Sequence, residues 1–177
     1  MSQNVTVTLS DYVRDIPDFP KPGILFRDIT PLRARPQAFR QAVEAMAERF
    51  RNREIDAVAA AEARGFLFAA PLALELGIPL IPIRKPGKLP YKTLSHTYEL
   101  EYGSDTLQIH ADAIEPGAHV LVVDDLLATG GTIDACCRLV EKAGGTVAGC
   151  AFLIELAALR GVEKIGRYET FSLIRYE

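Results

Sequence analysis

Residues 120–132, Val-Leu-Val-Val-Asp-Asp-Leu-Leu-Ala-Thr-Gly-Gly-Thr, constrain the fold more than any other stretch of the chain. The four apolar residues at 120–123 have no polar alternation, so they read as a strand buried on both faces. Two acids follow, Asp124 and Asp125, and then a turn of small residues. From Gly131 the period becomes helical, with Ile133, Cys136, Val140 and Ala143 three or four apart. A strand running through a Gly/Thr turn into a helix places a nest of backbone N–H groups at the positive end of that helix, where an anion binds. Thr129 and Thr132 add hydroxyl donors, and Gly130 and Gly131 allow close approach. A Walker loop would carry a Lys before its last Ser/Thr, and a dinucleotide loop would read G-x-G-x-x-G; neither pattern is present. An ordinary buried strand with a Gly-rich turn is the competing reading, but it has no need of two acids, two threonines and two glycines in this order.

The rest of the chain alternates in the same way. Residues 36–53 place Phe39, Val43, Met46, Ala47 and Phe50 at helical spacing. Residues 57–61 read as a short buried strand, 65–76 as a helix ended by Gly77, and 78–83 as a strand whose Pro79 and Pro82 suit an edge. After the helix at 131–143 come a turn at Gly144-Gly145, a strand at 146–155 and a last strand near 171–176. Residues 98–102 and 106–110 look like a two-stranded ribbon turned at Gly103-Ser104, and residues 4–14 could form a short helix. Residues 16–23, with Pro17, Pro20 and Pro22, must be loop. Short apolar strands alternating with helices predict an α/β fold, a mostly parallel sheet covered on both faces. At 177 residues and 49% hydrophobic content, one domain spanning 1–177 is the simplest organisation.

Composition excludes some functions. The net charge of −3 argues against a nucleic-acid partner. No apolar run approaches membrane-spanning length, and residues 1–4 do not open a signal peptide. Cys136, Cys137 and Cys150 show neither metal spacing nor a disulfide framework, which points to buried thiols in a reducing cytoplasm.

Two further clusters bear on chemistry. Glu62-Ala63-Arg64-Gly65 follows the strand at 57–61, where an open α/β sheet places its ligand loops. Arg64 offers a planar fork of donors to a diphosphate, although a surface ion pair between Glu62 and Arg64 would also fit. Residues 84–97 are basic and aperiodic, with Arg84, Lys85, Lys88 and Lys92 in nine residues. They read as a mobile lid for a polyanion or, more plainly, as a solvated loop.

Residues 120–132 resemble the phosphoribosyl-diphosphate (PRPP) motif of the type I phosphoribosyltransferases. Residues 18–31, Asp-Phe-Pro-Lys-Pro-Gly-Ile-Leu-Phe-Arg-Asp-Ile-Thr-Pro, resemble the N-terminal hood of that family's adenine-specific branch, as do residues 84–90, 98–103 and 171–177. The resemblance implies the type I fold with a hood at 1–35 and a mobile catalytic loop and ribbon at 84–104. It implies a cytoplasmic homodimer that transfers phosphoribosyl from PRPP to N9 of adenine, with Mg2+ held mainly through PRPP and water and no direct protein ligand assured. On this basis Ala128, Thr129, Gly130, Gly131 and Thr132 hold the 5′-phosphate. Asp124 and Asp125 hold the ribose hydroxyls, Arg64, Arg84, Lys85 and Lys88 meet the pyrophosphate, and Leu25, Phe26, Arg27 and Leu156 surround the base. Glu101 is the candidate for handling the N9 proton. The resemblance also implies a non-proline cis peptide within residues 61–64. A xanthine or hypoxanthine-guanine transferase shares the PRPP motif, and a non-catalytic PRPP-binding regulator shares the fold. The hood favours adenine over both.

Overall fold

A computed structural model describes residues 7–99 and 103–177. A 3-10 turn, Leu9–Tyr12, precedes β1 (Arg14–Ile16), which pairs antiparallel with β2 (Phe26–Asp28). Then come α1 (Thr30–Arg33), α2 (Pro36–Phe50), β3 (Ala57–Ala61), α3 (Gly65–Leu76) and β4 (Leu80–Ile83). A ribbon of β5 (Thr93–Glu99) and β6 (Ser104–His110) leads to β7 (His119–Leu127), α4 (Gly131–Lys142) and β8 (Thr146–Leu156). A 3-10 turn (Ala157–Leu159), α5 (Gly161–Lys164) and β9 (Thr170–Tyr176) close the chain.

The main sheet has the order β4-β3-β7-β8-β9, and every neighbouring pair is parallel. The central run of the sheet, 57–61 of β3, 120–123 of β7 and 150–154 of β8, is apolar because both faces are covered. On one face, Ala57, Ala59, Val120 and Val122 pack with Ile133, Cys136, Leu139 and Val140 of α4 and with Leu107 and Ile109 of the ribbon. On the other, Val58, Ala60, Leu121 and Val123 pack with Met46 and Phe50 of α2 and Phe68 and Leu72 of α3. Pro79, just before β4, and Pro82, its third residue, are tolerated because that strand is an edge of the main sheet, next to β3 alone. All three cysteines are buried and free of disulfides, and the Cys137 and Cys150 thiols share a hydrogen bond at 3.7 Å.

Three expectations need correction. The N-terminal helix at 4–14 is, within the described residues, only the 3-10 turn, and Arg14 begins a strand instead. Arg14 donates to Asp28 Oδ2 from both Nε (3.0 Å) and Nη2 (2.6 Å), and this cross-strand pairing outweighs a marginal local helix. The loop at 84–97 ends early: β5 starts at Thr93, because Thr93 to Glu99 pair residue by residue with 104–110. Strand β7 also does not stop before the acids. It runs on to Leu127, with Asp124 paired to Phe152 and Leu126 to Ile154, so both carboxylates are borne on ladder-bonded backbone.

Candidate active site

Parallel strands deliver their following loops to one end of the sheet. At that end lie Glu62 to Arg64 after β3, Arg84 after β4, residues 128–130 after β7, and Leu156 at the end of β8. A cavity of about 210 Å³ opens there, lined by Arg64, Asp124, Asp125 and residues 126–133. A larger one, about 480 Å³ and mostly apolar, lies at the opposite end of the strands, near Ala57, Pro79 and His119. It contains none of the motif residues.

The acids are set from below. The Asp125 amide donates to Asp124 Oδ1 at 2.8 Å. Asp125 is 4% exposed, and its Oδ2 lies 3.0 Å from Arg64 Nε. Burial pushes the Asp124 carboxyl well above the usual range, and the neighbouring Asp125 charge adds to that. Asp125 is also raised by burial, with Arg64 opposing the shift. Asp124 keeps some accessible surface towards the cavity even though its carboxyl is largely desolvated. The pair therefore resists carrying two charges and favours partners that bring donors or positive charge. Gly65 makes this packing feasible: a Cβ there would stand 2.9 Å from Asp124 Oδ1 and 3.2 Å from the Val123 carbonyl oxygen.

The glycine-threonine turn is built on a second close approach. Gly130, the residue before α4, has φ +80°, and a Cβ on it would lie 2.6 Å from the Gly161 carbonyl oxygen. A Cβ on Gly161 would run into the Ala128 carbonyl. The turn thus rests on the start of α5, and residues 131–133 of the first turn of α4, whose N–H groups lie ahead of the helix's own ladder, line the cavity. The Tyr98 hydroxyl reaches Thr132 Oγ1 at 3.3 Å from the ribbon. Sequence reasoning missed both Gly161 and Tyr98. A lone glycine after a strand carries little signal, and Tyr98 comes close only through the long-range packing of β5 on α4.

Three of the four cations are already engaged. Glu62 does not pair with Arg64: it accepts a bond from Arg84 Nε at 2.6 Å, while Arg64 turns to Asp125. Lys85 Nζ lies 3.2 Å from Asp105 Oδ2, and Lys88 is exposed. The peptide between Glu62 and Ala63 is cis, as the resemblance implied.

At the hood, Phe26 meets Phe19 edge to face at 5.1 Å, and the Arg64 guanidinium lies 5.6 Å over the Phe26 ring. Leu25 is exposed. The Arg27 side chain pairs with Asp15 and stacks 3.8 Å over the Tyr176 ring, so only its backbone remains to face a base. Tyr176 is in register with Leu156, and in this way the hood and the end of β8 meet at β9. Glu101 lies outside the described residues.

Among the described residues no three His, Cys, Asp or Glu side chains converge on a metal position. The hard carboxylate oxygens of Asp124 and Asp125 are of the type that would suit a hydrated magnesium ion.

Comparison with known proteins agrees with this arrangement. Residues 29–176 match the phosphoribosyl transferase domain. The adenine phosphoribosyltransferase of Rhodopirellula baltica is 60% identical over 95% of this chain and 82% of its own length. The crystal structure of adenine phosphoribosyltransferase from Thermoanaerobacter pseudethanolicus superposes with a TM-score of 0.92 at 53% identity, covering 96% of this chain and 100% of that one. The Saccharomyces cerevisiae adenine phosphoribosyltransferase, crystallised with adenine and an imino-altritol bisphosphate, gives 0.89 at 40% identity over 93% of this chain and 96% of that one. With the hood, the paired acids and the glycine-threonine turn on one frame, the chain belongs to the phosphoribosyl transferase family and, within it, to the adenine phosphoribosyltransferases.

Proposed function

We propose that this chain transfers the phosphoribosyl group of PRPP to N9 of adenine, giving AMP and pyrophosphate. The observation that carries the reading is the buried Asp124–Asp125 pair, held beside Arg64 and directly before the glycine-threonine nest. Residues 128–132 anchor the 5′-phosphate, and this binding energy, remote from the reaction, positions C1 of the ribose. As the bond to pyrophosphate breaks, C1 acquires positive charge. Asp124 and Asp125 hold the ribose hydroxyls and stabilise that charge at short range. Arg64, Arg84, Lys85 and Lys88 take the departing pyrophosphate, Arg84 and Lys85 turning from Glu62 and Asp105 to do so. Magnesium, carried in on the diphosphate, supplies further charge neutralisation.

The base lies against Phe26 and Leu156, with backbone groups at Leu25 and Arg27 reading its edge. Adenine presents an amino donor at C6 and an acceptor at N1, the reverse of a 6-oxopurine. A backbone carbonyl and amide arranged for adenine leave unpaired polar groups with hypoxanthine or guanine. The yeast relative's complex with adenine supports this choice. Glu101 handles the N9 proton, and residues 85–92 cover the pyrophosphate as a lid. Helix α3 carries a single charged residue, Glu75, and its outward Leu67 and Leu74 are exposed, Leu74 at 85%, which supports a homodimer formed through that face. The buried thiols, free of disulfides, suit a cytoplasmic enzyme.

The test is nucleotide formation from PRPP and Mg2+ with adenine, hypoxanthine, guanine, xanthine or orotate. AMP should form from adenine, with 6-oxopurines slower by about a hundredfold or more. Comparable rates with hypoxanthine would sink the adenine reading.

A further inference from the structure

Tyr98 belongs to the ribbon, yet it reaches across to the first turn of α4. Its hydroxyl stands 3.3 Å from Thr132 Oγ1, and its ring edge lies 3.8 Å from where a Cβ on Gly131 would sit. The ring packs on the core beneath the ribbon, and Lys142 Nζ donates to the Ser95 carbonyl at 2.9 Å to hold the same two elements together. Tyr98 is thus fixed by packing, and its polar tip is aimed at one of the hydroxyls assigned to the 5′-phosphate.

A phosphate dianion only accepts hydrogen bonds, so Thr132 must spend its single proton on it. The Thr132 oxygen then has lone pairs to fill, and the Tyr98 O–H is the donor within reach. Resting on the phosphate-site reading above, we propose that Tyr98 is a positioning residue that donates to Thr132 and thereby commits the Thr132 proton to the 5′-phosphate of PRPP and AMP. Such a relay is cooperative: a donor behind Thr132 makes its own O–H a stronger donor. The 3.3 Å separation is longer than the usual O–H···O distance of about 2.7–2.8 Å, which leaves room to tighten when phosphate polarises the pair. Burial raises the Tyr98 phenol above its ordinary range, so it stays a donor at any working pH.

The experiment compares wild type, Tyr98→Phe, Thr132→Val, Thr132→Ser and the two double variants by calorimetric binding of AMP and of inorganic pyrophosphate, which lacks the ribose phosphate. Tyr98→Phe keeps the packed ring and should weaken AMP by about fivefold while leaving pyrophosphate unchanged. In the Thr132→Val background the Tyr98 change should cost nothing further, and in the Thr132→Ser background the penalty should return. A merely structural Tyr98 would weaken both ligands alike, or would cost the same with Val at 132, and either result overturns the proposal. If Thr132→Val weakens AMP but Tyr98→Phe does not, the relay alone is wrong. If Thr132→Val leaves AMP binding intact, the phosphate-site reading fails and the relay fails with it.

Discussion

At the scale of single residues, the active end of the molecule is an electrostatic conflict that substrate resolves. Asp124 and Asp125 are held together out of water, with Arg64 as partial compensation. A carboxyl whose folded pKa is raised contributes its stability below the unfolded value and loses it as pH rises through the folded one. Asp124→Asn removes that penalty and keeps an acceptor for the Asp125 amide. The variant should therefore unfold at higher denaturant than wild type at pH 8, with the gap shrinking towards pH 4. On the proposed mechanism its kcat should fall by about a hundredfold, since a charge beside C1 would be lost. Urea unfolding at several pH values and initial-rate assays measure the two effects. Arg64→Lys keeps the charge but loses the planar fork, so kcat/KM for PRPP should drop by about tenfold with the KM for adenine little changed. Asp28 shifts the opposite way. Its bonds from Thr30 and Arg14 bring it down to about 2, so it supports the hood at neutral pH and gives up that support only as pH falls through this value.

At the scale of elements, some boundaries were legible and others were not, for identifiable reasons. Strand β3 and helix α3 appear where their patterns put them, because a continuous apolar run between turn signals and a terminal Gly77 leave little choice. The paired acids and the Gly-Thr turn were equally plain, since their chemistry is local. The start of the ribbon at Thr93, the strand at Arg14 and the support from Gly161 were not, because each depends on a partner distant in sequence. The engagement of Arg84 with Glu62 was hidden for the same reason. The contact between Gly161 and the nest gives a sharp expectation. Gly161→Ala should displace residues 128–130, lowering stability by about 1–3 kcal/mol and weakening PRPP far more than adenine. Thermal unfolding together with separate titrations of the two substrates checks both parts.

At the scale of the whole molecule, one face is left unaccounted for by the described chain. Helix α3 buries Phe68, Ala69, Leu72 and Ala73 inward, while Leu67 and Leu74 point outward. The proposed dimer would seat a second copy of the chain on the exposed Leu67 and Leu74 of this helix. Leu74→Arg should turn a dimer into a monomer in sedimentation velocity, and the subunit's own fold should tolerate the change because the side chain is already exposed in it. A monomeric wild type would leave the apolar face without this explanation.

The meeting of Gly130 and Gly161 has a consequence for how such a protein can evolve. At each position the obstacle to a larger residue is the other loop's backbone, not a side chain. Lesions of this kind are ordinarily rescued by trimming a neighbouring side chain, but here the obstacle is main chain, the Ala128 carbonyl against Gly161 and the Gly161 carbonyl against Gly130, so no side chain remains to trim. A selection for revertants of Gly161→Ala should therefore recover the original glycine, or changes that move a whole loop, and never a compensating substitution at 130. The two positions behave as one inherited unit, open to loss together and closed to stepwise change.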